Sequence, residues 1–138
     1  MRAASVRRPT PYARRQRAAE RMRRCEEAPL SVIEAENIAI EAGDINRTGL
    51  TGPEWTPLTT SAGIRGAKRT SLNPNFAALL LRYFKGAGLK ADDRAAVGAS
   101  GLFPGLRIAT LCAATELDLQ TEIVAAYAPP CMGRRARK

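Results

Sequence analysis

Arg94-Ala-Ala-Val-Gly-Ala99, then Ser100-Gly-Leu-Phe-Pro104, and further on Thr121-Glu-Ile-Val-Ala-Ala126 decide the fold. The first and last are short apolar runs that predict buried strands. Between them Pro104 opens a helix carrying Leu106, Ala109, Ala113 and Leu117 on one side and ending near Asp118. Strand, helix and strand in that order predict a right-handed crossover and a parallel pair. The fold class is therefore α/β, a partial three-layer fold with a parallel β-α-β unit near the C-terminus and helices N-terminal to it.

Upstream, Asn73-Pro74 predicts a helix start, and Phe76, Leu79, Leu80, Tyr83 and Phe84 follow at helical spacing until Gly86 and Gly88. Leu30 to Ala42 reads as another helix, with Ser31 and Glu34 as a capping box and Gly43 as its stop. Pro11 to Ala28 consists of good helix formers, but it is polar nearly all round and so offers little face to bury. Asp44 to Pro57 is a loop, and Leu58 to Ser61 is a short strand candidate. The expected organisation is a basic helical or disordered arm over 1–28, a partial α/β domain over 29–128, and a basic tail over 129–138.

The chain has 138 residues and a formal net charge of +9. That total suggests nucleic-acid binding, but its distribution does not. Residues 1–25 carry nine arginines and one acid, and 134–138 carry four bases, whereas 26–130 carry nine bases against twelve acids. The body is acidic, and the basic ends support only non-specific attraction to nucleic acid or anionic lipid. Hydrophobic residues make up 45% and aromatics only 5%, so the core must be aliphatic, which suits helices packed on a sheet.

There is no histidine, which excludes a Ser-His-Asp triad, a Cys-His pair and a His-ligated zinc. Cys25, Cys112 and Cys131 make no metal or disulfide pattern by spacing, and neither metal nor cofactor is expected. No run reaches the roughly 18 apolar residues that span a bilayer.

Two segments have the inventory to hold an anion. The first is the turn at Ser100-Gly101, beyond the carboxyl end of a strand and before a helix N-terminus. Gly98 and Gly101 serve equally well to turn strand into helix. The second gathers Thr59, Thr60, Lys68, Arg69, Thr70, Asn73 and Asn75, whose hydroxyls, cations and amides suit carboxylate or phosphate, or simply a solvated loop. Both segments are expected at one edge of the sheet. Glu54 beside Trp55 is the acid/base candidate, against the simpler reading of a solvated turn carboxylate. No catalytic residue is assigned, and enzymatic activity is left open.

Thr48-Gly-Leu-Thr-Gly-Pro-Glu-Trp-Thr-Pro-Leu-Thr-Thr60, Ala67-Lys-Arg-Thr-Ser-Leu-Asn-Pro-Asn-Phe-Ala-Ala-Leu79 and Val97-Gly-Ala-Ser-Gly-Leu-Phe-Pro104 occur in that order. Together they resemble the poly-gamma-glutamate system protein family over about residues 30–128. Members are bacterial, membrane-associated proteins connected with making or exporting this polyanion. The resemblance implies a component of that system, with the polymer or its synthase subunits as partners and a membrane-surface location. A non-enzymatic assembly protein is the alternative role, and non-specific nucleic-acid binding by the tails a second one.

By position, the resemblance carries over Glu54, Thr59, Thr60, Lys68, Arg69, Thr70, Asn73, Asn75, Ser100 and Gly101. Leu102 stands where the family has Ser, Gly105 and Arg107 where it has Ala and Asn, and Ile64-Arg65-Gly66 where it is more acidic. Against the family's membrane segment and longer α/β portion, the sequence is expected to be a truncated or frame-shifted copy, and without that segment a soluble cytoplasmic protein.

Overall fold

A computed structural model describes residues 10–52 and 64–126. The expected strand over Leu58–Ser61, together with Glu54, Trp55, Thr59 and Thr60, lies outside the described residues.

Helix α1 spans Pro11–Glu27. The Thr10 hydroxyl accepts from the Ala13 amide at 3.2 Å, and proline occupies the first turn, where its missing N–H costs nothing. The solvent side is laced by ion pairs from Glu20 to Arg23 and Arg24 and from Arg23 to Glu27. The expectation of little buried face is not met, because Ala18, Met22 and Glu26 recur every four residues along one buried stripe. A narrow stripe with one large apolar residue is enough when its neighbours approach closely.

Helix α2 spans only Leu30–Ala35, seven residues short of the expected end. Pro29 already has helical angles, so Ser31 lies inside the helix and its hydroxyl bonds back to the Ala28 carbonyl; no capping box forms. Asn37 takes a left-handed conformation (φ 50°), and the Ile38 amide reaches back to the Ile33 carbonyl, closing the helix. The following loop is organised by Asp44, whose Oδ2 accepts from Thr48 Oγ1 and the Gly49 amide.

Helix α3 spans Arg65–Ser71, inside a stretch read from sequence as loop. Helix α4 spans Asn75–Gly86, and Asn73 caps it as expected, its Oδ1 accepting from the Asn75 amide at 2.9 Å. The buried side of α4 is Ala77 and Leu81, flanked by Phe76, Leu80 and Phe84, while Leu79 and Tyr83 are exposed. The buried face thus leaves out Leu79 and Tyr83 of the expected apolar positions and takes in Ala77 and Leu81, which meet both α1 and α5.

Strand β1 (Arg94–Ser100), helix α5 (Pro104–Glu116) and strand β2 (Gln120–Ala126) follow the sequence reading in order and bounds. The strands are not the buried ones expected: no residue of either is fully buried, because among the described residues the core forms between helices and leaves the sheet at its edge. The strands pair in parallel, Arg94 opposite Gln120 through Ser100 opposite Ala126. Asp118, at φ 58°, turns the chain out of α5, and its carbonyl accepts from the Asp92 amide, which ties the strand starts together.

The core lies where α1, α4 and α5 meet: Ala18, Met22, Ala77, Leu81, Ala109, Cys112, Ala113, Ala114 and Leu117, with Leu119 behind them. Five of these are alanines, so the helix backbones approach closely and the contact is mainly dispersion. The sheet sits at the margin of this cluster through Ala95. Val124 on β2 is 80% exposed. Among the described residues no helix is long and apolar enough to cross a membrane.

Candidate anion site

The end of β1 delivers Ser100 to a tight turn before α5. Its Oγ accepts from the Leu102 amide at 3.3 Å, which fixes the hydroxyl oxygen and leaves the O–H free to donate outward. Pro104 then starts α5, whose first amides have no intrahelical acceptor. One turn along the helix stand Arg107 and Thr110. With Gly98, Phe103 and Leu106 they enclose a cavity of about 210 Å³ against Ser100.

Arg107 is half-buried and makes no ion pair among the described residues. Thr110 donates its hydroxyl to the Leu106 carbonyl at 2.7 Å, so it can offer a ligand only its oxygen. An arginine and a hydroxyl donor therefore line one small space beside the start of α5. That combination suits a carboxylate or phosphate oxygen.

The two sequence segments do not share a cavity. Arg69, Thr70 and Asn73 line a separate hollow of about 320 Å³ with Ile45 and Asn46. Within it, Thr70 donates to the Gly66 carbonyl and Asn73 uses its oxygen as the α4 cap. Asn75 lies in a third place, the groove of about 790 Å³ between α1 and the start of α4. Lys68 and Gly101 line none of these three spaces. The two stretches approach each other where Gly105, early in α5, packs on the backbone of Ser71 and Leu72 at the end of α3.

The α1–α4 groove is larger than the turn cavity and carries Arg15, Arg17 and Arg23. Its guanidiniums are already engaged: Arg15 with the Pro11 carbonyl, Arg17 with Glu116, and Arg23 with Glu20 and Glu27. The smaller turn cavity differs from this groove in that its arginine, Arg107, makes no ion pair among the described residues, as is also true of Arg69 in the 320 Å³ hollow.

Sequence reasoning missed Arg107 and Thr110 as site residues. Phe103, Arg107 and Thr110 fall at helical spacing, but only the rotation of α5 against β1 decides that this face meets Ser100. It also missed Glu26, a carboxyl 6% exposed, whose Oε1 has no hydrogen-bond partner among the described residues. Burial, helped by the nearby Glu27 charge, pushes its pKa up to about 7. Glu26 lines a cleft of about 390 Å³ with Arg47, Asn46 and Asn73, where it can exchange a proton near neutrality. Among the described residues no cluster of three or more His, Cys, Asp or Glu side chains is placed to hold a metal.

Comparison of the chain with protein-family models, with curated proteins and with solved structures finds no match.

Proposed function

We propose that this protein binds a carboxylate- or phosphate-bearing ligand at the β1–α5 turn, as a component of a bacterial poly-gamma-glutamate synthesis or export system. The observation that carries the binding reading is that Arg107, which makes no ion pair among the described residues, lines a cavity of about 210 Å³ together with Ser100. The pathway reading is supported by the three sequence blocks that resemble that family, and by the match between a polycarboxylate and a site of this charge. Arg107 supplies the cation that fixes a carboxylate, Ser100 supplies a hydroxyl donor, and Phe103 and Leu106 complete the lining.

Calorimetric titration with poly-gamma-glutamate, free glutamate and inorganic phosphate tests this reading. Binding is expected to fall at least tenfold in Arg107→Ala, less in Ser100→Ala, and to survive removal of residues 1–9. Binding that disappears with residues 1–9 and collapses with added salt would instead assign the effect to the basic arm.

A further inference from the structure

Cys25 on α1 and Cys112 on α5 lie 87 residues apart in sequence, yet their sulfurs are 4.0 Å from each other, both as free thiols. We propose that this pair is a redox-modification site, in which hydrogen peroxide converts the two thiols to a disulfide that clamps α1 to α5. A disulfide needs the sulfurs at about 2 Å, so closure takes roughly 2 Å of travel.

The two sulfurs differ in access. Cys112 is 3% exposed, inside the helical core, whereas Cys25 is exposed and opens on a concavity of about 330 Å³ flanked by Arg17, Arg21 and Arg24. Burial, then the neighbouring Cys25, pushes the Cys112 thiol up to about 12, so it keeps its proton at neutrality. The oxidant therefore meets Cys25 first.

The Cys25 sulfur attacks one peroxide oxygen and the O–O bond breaks, giving a sulfenic acid and water. The Cys112 sulfur then attacks the Cys25 sulfur, the S–O bond breaks, and the Cys112 proton leaves with the departing hydroxide as a second water. Two thiols lose two electrons and two protons in all, and the peroxide is reduced.

The test uses the full chain with Cys131→Ser, so that the third thiol cannot contribute. After hydrogen peroxide treatment, the monomer mass is expected to fall by about 2 Da, with non-reducing digestion yielding one cross-linked Cys25–Cys112 peptide. Closing so long a loop is expected to raise the unfolding midpoint, reversibly on adding reductant. With Cys112→Ala added, the sulfenic acid at Cys25 is expected to persist and react with dimedone. Oxidation of Cys25 to a sulfinic acid beside an unmodified Cys112, or a covalent dimer through Cys25, in the Cys131→Ser protein overturns the proposal. That measurement needs no substitution in the pair itself, so it stands even if the Cys112 variant does not fold.

Discussion

Arg17 and Glu116, 99 residues apart, join α1 to α5 through a two-nitrogen contact, with both Nε and Nη2 of the guanidinium on Glu116 Oε1. Glu116 is buried and Arg17 is half-exposed. The hydrogen bond to Glu116 is the largest cause that raises the arginine's pKa. Arg17→Ala leaves a buried carboxylate without its partner and is expected to lower the urea midpoint clearly. Adding Glu116→Gln is expected to recover much of that loss, because the stranded charge is gone. Equal, additive losses in a double-mutant cycle would show that the pair is uncoupled.

Gly105 allows α5 to start against the end of α3. A Cβ there would lie 2.6 Å from the Ser71 carbonyl carbon and 2.9 Å from the Leu72 nitrogen, both backbone atoms that cannot swing away. Alanine would gain up to about 1 kcal/mol in helix propensity, while the overlap costs about 1–3 kcal/mol. Gly105→Ala is therefore expected to destabilise, as read by thermal unfolding. It is also expected to weaken anion binding, since α5 carries Arg107.

Glu26 sets a pH dependence. Its pKa is about 7 in the fold against 4.5 when unperturbed, with burial as the main cause. The folded state thus holds this proton more tightly than the unfolded state. Its contribution is fully present below about pH 4.5, declines as pH rises to about 7, and stays lost above that. Charges near it include Glu27 and Arg23 on α1 and Arg47 on the facing loop. Glu26→Gln cannot ionise, and at about pH 8 it is expected to be more stable than the parent by about 1–3 kcal/mol, with little difference at about pH 4. Urea unfolding at the two pH values measures this.

The strand, helix and strand from Arg94 to Ala126 were legible because Ser100-Gly101, Pro104 and Asp118 punctuate apolar runs of the right period. The role of α1 was not, because only Ala18 and Met22 mark its apolar stripe and Glu26 occupies the third buried position. The early end of α2 depended on Asn37 adopting a left-handed conformation, which its identity permits but does not require.

At the site, Ser100 was legible from the turn, and Arg107 was not, since helix rotation against the strand is a tertiary outcome. The meeting of Cys25 with Cys112 is likewise set by how α1 and α5 pack, which spacing along the chain does not encode.

The central claim, an anion held at the β1–α5 turn by Arg107 and Ser100, is tested most directly by mapping backbone amide shifts during titration with a short gamma-linked glutamate oligomer. The largest shifts are predicted at the amides from Ser100 to Arg107, and they should vanish in Arg107→Ala while the rest of the spectrum is unchanged. Shifts confined to Lys68–Thr70 or to the Tyr12–Arg23 groove, or a response that persists in Arg107→Ala, would contradict the account.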